Sequence, residues 1–223
     1  MGQFQYQPSY RRNLPHIQPP GATFFVTPRL SGSLPKAVVE QWNQERKWLW
    51  HLADANPNHH EQVKSDFERR WFAKFESILD GGKCGPLWLS EERVAEQVAE
   101  SLHYRDGKVY RLDSFSIMPN HLHVVFKPLP IEQPSRSLVD ERAGREIRYH
   151  SLARIMQSFK GYTAYKANRL LHRSGEFWAH ESYDHYVRDF EEWQRIMAYV
   201  LNNPVWAGYV ANWREWKWNY RRS

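Results

Sequence analysis

Two histidines one residue apart, His121 and His123, lie at the start of an apolar run that follows Pro119-Asn120. Alternate side chains of a β-strand lie on the same face, so the two imidazoles would be about 6 to 7 Å apart on one face. Imidazoles at this spacing can bind a single divalent metal and leave coordination positions open. The alternative is an ordinary strand whose histidines are solvated or hydrogen-bonded in the core.

A second candidate pair, Tyr199 and Asn203, is spaced four residues apart. Residues at this spacing stack on one side of a helix, so both could face a pocket beside the apolar stripe. Asn203 could offer its amide oxygen to the same metal. Tyr199 could offer a phenol, which beside a metal becomes a plausible nucleophile for a phosphate. The alternative is a helix-capping Asn203 and a half-buried Tyr199.

The elements around these residues predict an α+β fold. Strands are predicted at 23–27, 109–118 and 121–127, and helices at 36–52, 61–79, 91–102, 151–171 and from 190 on. We expect Ser90 and Asp189 to cap two of these helices, Gly161 to be a possible interruption of another, and Pro204 to end the last. This order suggests a ferredoxin-like antiparallel sheet with helices on one side.

The domain organisation follows from the same pass along the chain. We expect one catalytic domain over residues 1–223, because no internal repeat or linker divides it. Within it, residues 1–22 form an extended arm and residues 36–90 form a helical insertion. Residues 205–223 form an aromatic and basic tail.

The chain is basic, with a formal net charge of +6 and a pI of about 9.4. The excess lies between residues 102 and 180, and the segment 148–173 has no acidic residue. Helices exposed only to water usually mix both signs, so this segment predicts a surface that faces a polyanion. Its basic residues are Arg148, Arg154, Lys160, Lys166, Arg169 and Arg173.

Several classes of site are excluded by composition. Cys84 is the only cysteine, which excludes an internal disulfide and a thiolate-rich zinc site. The glycine-rich residues 81–86 lack the second half of a phosphate-binding P-loop, so we expect no nucleotide cofactor. No apolar run approaches the length of a membrane span, and we expect a cytoplasmic protein with no membrane partner.

Several motifs together resemble the REP-associated tyrosine transposases of the single-tyrosine HUH transposase superfamily. The similar segments are Tyr10-Arg11-Arg12, Met118-Pro119-Asn120-His121-Leu122-His123, Ser158-Phe159-Lys160-Gly161-Tyr162-Thr163-Ala164, Arg173-Ser174-Gly175-Glu176-Phe177-Trp178, Tyr183-Asp184-His185-Tyr186-Val187-Arg188-Asp189 and Tyr199-Val200-Leu201-Asn202-Asn203-Pro204-Val205. They follow one another in the family's order along most of the chain. The chain departs from the family at Trp206, where lysine is more common, at His180, and in the longer segment 36–90.

The resemblance implies specific roles. His121, His123 and Asn203 would bind a divalent metal, Mg²⁺ or Mn²⁺, and Tyr199 would attack a phosphodiester of single-stranded DNA. The product would be a 5′-phosphotyrosine and a free 3′-hydroxyl, and the reverse reaction would rejoin strands in DNA transposition and recombination.

The DNA partner that the resemblance implies is a palindromic, hairpin-forming single strand. The segment 148–173, together with Arg11 and Arg12, would contact its phosphates. With this partner, we expect the protein to be associated with the bacterial nucleoid. We expect a monomer, with a dimer as the alternative.

Three alternatives remain at this stage. The chain could be a DNA-hairpin-binding descendant without catalysis, or an unrelated metal-dependent enzyme. Tyr162 and Tyr165 compete with Tyr199 as the nucleophile, because they lie in the basic helix.

Overall fold

The computed structural model of the chain describes residues 9–11, 15–17, 19–54, 60–81, 84–131 and 148–223. The strands are β1 (Ser9–Arg11), β2 (Pro15–Ile17), β3 (Thr23–Thr27), β4 (Tyr110–Ile117), β5 (Leu122–Pro128), β6 (Tyr183–Val187) and β7 (Asn219–Arg221). The helices are α1 (Lys36–Asp54), α2 (His60–Asp80), α3 (Glu92–Arg105), α4 (Leu152–Leu170) and α5 (Phe190–Trp206). Short 3₁₀ turns lie at Trp88–Ser90 and Trp213–Glu215.

Five strands form one antiparallel sheet in the order β6-β3-β5-β4-β7, and β1 pairs with β2 in a separate ribbon. Without β7, the sheet is the ferredoxin-like arrangement, in which β3 and β5 are central and two helical crossovers join the strands. The α+β class, the antiparallel sheet and the packed helices are therefore confirmed. The predicted 121–127 strand lies at β5, with the turn at Pro119-Asn120 before it.

The two faces of the sheet are covered by different helices. On one face, Leu122, Val124 and Phe126 of β5 pack with apolar residues of α3 and α4. On the other face, Val125 of β5 packs with Met197 of α5. The prediction that the helices lie on one side was incomplete, because the apolar stripe of α5 covers the second face.

The predicted insertion contains the hairpin of α1 and α2. Trp42 of α1 packs with Phe67 and Trp71 of α2 in a small apolar cluster of its own. Phe72, on a neighbouring face of α2, stacks on Tyr183 of β6 at 4.2 Å between ring centroids. These aromatic contacts fix α2 against the face of the sheet that α5 covers.

Three local predictions differ from the structure. Ser90 lies in a 3₁₀ turn and the N-cap of α3 is Glu91, which makes no side-chain cap bond. Gly161 lies within an uninterrupted α4. Pro204 lies inside α5, which continues to Trp206. Asp189 does cap α5, since its carboxylate accepts a hydrogen bond from the Glu192 N–H at 2.7 Å.

The C-terminal residues complete the sheet. β7 pairs with β4, and the Trp216 indole donates a hydrogen bond to the Ile117 carbonyl at 3.0 Å. Tyr220 of β7 stacks on Phe115 of β4. Among the helices that the structure describes, none is both long enough and apolar enough to cross a lipid bilayer.

Candidate active site

The two histidines lie side by side on the face of the sheet that α5 covers. Both are fully buried, and their Nε2 atoms are 3.0 Å apart. Leu122, between them, faces the opposite core, as strand alternation requires. His121 and His123 therefore lie on one face of the sheet, as the sequence predicts.

The turn residue Asn120 orients His121. Its amide N–H donates to the Leu79 carbonyl at 2.9 Å, so its Oδ1 is left to accept from His121 Nδ1 at 2.7 Å. This assigns the proton of His121 to Nδ1 and leaves the Nε2 lone pair facing the site. Burial and the charge of His123 lower the pKa of His121 to about 3, so the ring is neutral near pH 7.

Glu76 of α2 brings a carboxylate to the histidines. Its Oε2 lies 3.1 Å from Nε2 of His123, and the side chain is almost completely buried. Burial opposes its ionisation, but the charge of His123 and hydrogen bonds from His123 and Tyr199 hold the pKa of Glu76 below its ordinary value. Glu76 is thus an ionised carboxylate within a buried polar cluster.

Tyr199 of α5 reaches the same carboxylate. Its hydroxyl donates to Glu76 Oε2 at 2.5 Å, and its ring lies 5.4 Å from that of His123. Asn203, one turn further on, donates its amide N–H to the Tyr199 oxygen at 3.4 Å. Burial, the negative charge of Glu76 and the hydrogen bond to it raise the pKa of Tyr199 well above its ordinary value. The phenol is therefore protonated, and its proton points at Glu76.

The donor set fits a divalent cation. Glu76, His121 and His123 can each offer one ligand atom, and these atoms lie within 4.8 Å of one another. His123 Nε2 lies 3.0 Å from His121 Nε2 and 3.1 Å from Glu76 Oε2. Two neighbouring ligands of an octahedral ion are about this far apart when each lies about 2.1 Å from the ion. Imidazole and carboxylate ligands together suit several divalent ions, Mg²⁺ and Mn²⁺ among them.

Two unpaired oxygens beside this cluster support the same interpretation. Oδ1 of Asn203 and Oδ1 of Asp80 are buried and have no hydrogen-bond partner among the described residues. A buried acceptor without a partner costs free energy, about 1–3 kcal/mol, unless a cation or a water satisfies it. Asp80 Oδ1 lies 3.9 Å from His121 Nε2. Burial and the charge of Glu76 raise the pKa of Asp80 to about 6.

The predicted DNA-contacting residues lie away from this cluster. α4 packs on the opposite face of the sheet, with Arg154 and Arg169 exposed on its outer side and Lys166 half-buried. Arg148 is exposed before α4, and Arg11 lies in β1. Arg12 lies outside the described residues. The structure therefore does not bring the basic segment to the histidines.

Lys160 and Arg173, two of the predicted DNA-contacting residues, connect separate parts of the chain. Lys160 Nζ donates to the carbonyls of Ala179 and His180 and to the Ser182 hydroxyl, at 2.7 to 3.0 Å. Arg173 lies 3.7 Å over the Trp88 ring and donates to the Glu176 carbonyl. Lys160 thus fastens α4 to residues 179–182, and Arg173 joins the turn after α4 to Trp88. Neither role needs DNA.

The competing tyrosines, Tyr162 and Tyr165, are exposed on α4. They face cations, with Lys166 5.8 Å from the Tyr162 ring and Arg169 5.7 Å from the Tyr165 ring. Among the described residues, the potential metal-binding cluster of histidines and acids is on the other face of the sheet. Tyr199 is the tyrosine that contacts it.

The sequence interpretation missed Glu76 and Asp80, which lie in the predicted insertion. Phe72, Glu76 and Asp80 are spaced four residues apart, so they form one stripe of α2. The available signal was that these acidic residues lie on the same stripe as an aromatic residue. In an amphipathic helix that is simply solvated, acidic residues lie on the face opposite the apolar stripe.

Comparisons with known proteins give two similarities. No protein-family model matches the chain. An uncharacterised protein of Haemophilus influenzae is 29% identical over 105 residues, a match that covers 43% of this chain and about half (54%) of that protein. A solved structure described as a REP-associated tyrosine transposase bound to a REP hairpin aligns with 94% of this chain and 80% of its own, at 12% identity and a TM-score of 0.47. Neither similarity assigns a residue or an activity to this chain.

Proposed function

We propose that the chain is a metal-dependent single-stranded DNA endonuclease and strand transferase that uses Tyr199 as its nucleophile. The observation that carries this proposal is the phenol of Tyr199 donating to Glu76 at 2.5 Å, with His123 on the same carboxylate oxygen. A nucleophile, a proton acceptor and metal ligands thus share one buried cluster. The substrate class, hairpin-forming palindromic DNA, is what the resemblance of the motifs around His121, His123 and Tyr199 to the REP-associated tyrosine transposases implies.

The residues divide the chemistry among them. His121, His123 and Glu76 would hold the metal, and the free oxygens of Asn203 and Asp80 are available to complete the ligand set. When bound, the cation supplies positive charge against the attacked phosphate. Asn120 keeps His121 in the ligand tautomer. Phe25 and Phe72 contact the Tyr199 ring at 5.9 Å each and hold it in place.

In the transfer step, Tyr199 replaces the 3′ oxygen on the phosphorus of the scissile phosphodiester. The Tyr199 oxygen forms a bond to phosphorus while its proton moves along the existing hydrogen bond to Glu76. The bond from phosphorus to the 3′ oxygen breaks, and that oxygen takes up a proton from solvent water and leaves as a 3′-hydroxyl. The 5′ strand end stays on Tyr199 as a phosphodiester, so the reverse attack can rejoin strands without a nucleotide triphosphate.

Incubation with labelled hairpin DNA and Mn²⁺ tests the proposal. Single-stranded palindromes from the DNA around the chain's own gene are the substrates. The expected result is a protein–DNA adduct that survives denaturation, forms only with a divalent metal and maps to Tyr199 by mass spectrometry. DNA attached to Tyr162 would contradict the assignment of the nucleophile. Retained hairpin binding without any cleavage would leave a non-catalytic DNA-binding protein as the better account.

A further inference from the structure

An exposed aromatic pair lies at the end of α5, next to the candidate nucleophile. Trp206 is 63% exposed, and its ring centroid is 5.6 Å from that of Tyr199. Tyr209 follows three residues later and is 42% exposed. A single exposed aromatic is ordinary on a protein surface, but a pair that borders a reactive side chain is informative.

This pair is held in position by the helix terminus. Gly208 has a φ of +78°, which turns the chain back so that the Tyr209 N–H donates to the Pro204 carbonyl at 2.9 Å. The Tyr209 ring then packs on Trp216 at 5.3 Å, and Trp216 is hydrogen-bonded to β4. Tyr209 is thus anchored to the sheet, whereas Trp206 is held by its place on α5 and its contact with the Tyr199 ring. An aromatic ring held in this way loses little entropy when it binds a flat ligand.

Two further side chains of α5 lie in line with Trp206. Arg195, Tyr199 and Trp206 are spaced by four and seven residues, so they lie on one stripe of the helix. Arg195 is exposed and has no hydrogen-bond or ion-pair partner within the described part of the chain. Along the helix axis it lies about 6 Å from Tyr199 on the side opposite Trp206. The stripe therefore presents a cation, a nucleophile and an aromatic face in sequence.

We infer that Trp206 stacks on one unpaired base of single-stranded DNA beside the phosphodiester that Tyr199 attacks. This inference rests on the proposed function. A strand whose phosphate reaches Tyr199 must place a neighbouring nucleotide over Trp206, since the two rings are in contact. Every nucleobase has a π face, so such a platform holds the strand without selecting its sequence. Arg195 contacts a phosphate on the other side.

Binding of short single strands tests the platform. The full chain carrying Tyr199→Phe, which cannot cleave, is titrated against a fluorescein-labelled oligodeoxyadenylate of about ten nucleotides, with anisotropy as the readout. An abasic strand of the same length keeps the phosphates and removes the bases. Trp206→Ala should weaken binding of the oligodeoxyadenylate about tenfold and leave the abasic strand unaffected. Trp206→Phe should retain most of the affinity, which controls for folding.

Trp48→Ala is the matched control, because Trp48 is also 63% exposed but lies on α1. It should leave both affinities unchanged. The inference is overturned if Trp206→Ala weakens both strands equally, weakens neither, or if the oligodeoxyadenylate does not bind. Failure of the proposed function is a separate result, namely no covalent adduct when Tyr199 is intact.

Discussion

The two faces of the sheet are built from the same strands, but one faces an apolar core and the other a buried polar cluster. On the face covered by α3 and α4, β5 contributes apolar side chains to a closed core. On the face covered by α2 and α5, it contributes His121 and His123 to a buried polar cluster. The difference arises from a one-residue alternation in β5 and from the helices that cover each face.

The basic segment 148–173 and the candidate chemistry therefore lie on opposite faces of the sheet. The exposed cations of α4 lie on one side of the sheet, and the cluster around Glu76 lies on the other. Phosphate contacts on α4 would position a nucleic acid, whereas bond breaking would belong to the opposite face.

Replacing the nucleophile should have the largest effect. Tyr199→Phe removes the phenol that contacts Glu76 and keeps the ring packing, so adduct formation should fall at least about a thousandfold while hairpin binding stays within about twofold. The measurement is a single-turnover assay with Mn²⁺ and labelled hairpin DNA. Tyr162→Phe, on the opposite face, is the control and should cleave normally. Equal losses in the two variants would show that the cluster is not the reaction centre.

Removing one imidazole should abolish metal binding. His123→Ala should weaken Mn²⁺ binding more than about a hundredfold, since losing an outer-shell partner alone costs 10- to 100-fold. Isothermal titration of the full chain measures this. His185→Ala is the control, because His185 also contacts a carboxylate, Glu192, at 3.0 Å but lies outside the three-residue cluster. Comparable losses in both variants would place the metal elsewhere.

The sequence could predict the residues that follow a local period, but not the partners that the fold brings to them. Strand alternation in 121–127 and helical spacing in α5 were sufficient to predict His121, His123, Tyr199 and Asn203 as neighbours on two elements. That these elements meet depends on long-range packing, such as Val125 of β5 against α5.

Glu76 could not be predicted in the same way. It lies 45 residues before His121 in the chain, and long-range contacts, such as those of Phe72 with Phe25 and Tyr183, bring α2 to the site. The basic segment was over-interpreted for a related reason. Lys160 is as charged as Arg169 in the sequence, and only the structure shows that Lys160 is bound to backbone carbonyls.

Asp80 should cost stability when no metal is present. Its folded-state pKa of about 6 lies above the ordinary 3.8, so the folded state binds the proton more tightly and loses stability as the pH rises from about 4 to 6. Asp80→Asn should therefore raise the free energy of unfolding at pH 7.5 by about 1–3 kcal/mol in the presence of a chelator, and the gain should vanish near pH 4.

Urea unfolding at the two pH values measures this effect. Asp66→Asn is the matched control, because Asp66 is exposed on the same helix and pairs with Arg69 on the surface. It should change stability by less than about 0.5 kcal/mol. A gain for Asp80→Asn that persists at pH 4 would show that the buried charge is not its cause.

The smallest effects are expected on α4, where replacing an outward-facing cation and replacing a cation bound to backbone carbonyls should have different consequences. Lys166→Gln and Arg169→Gln together remove outward-facing charge, so hairpin affinity should fall several-fold at low salt and the dependence of log affinity on log salt should become shallower by about 1 per lost phosphate contact. Lys160→Met should instead lower the free energy of unfolding by about 1–3 kcal/mol, because the carbonyls of Ala179 and His180 lose their donor. It should leave the salt slope unchanged. If Lys160→Met alone reduced the dependence of log affinity on log salt, Lys160 would be a phosphate contact. The DNA-binding surface would then include the side of α4 that faces the segment 179–182.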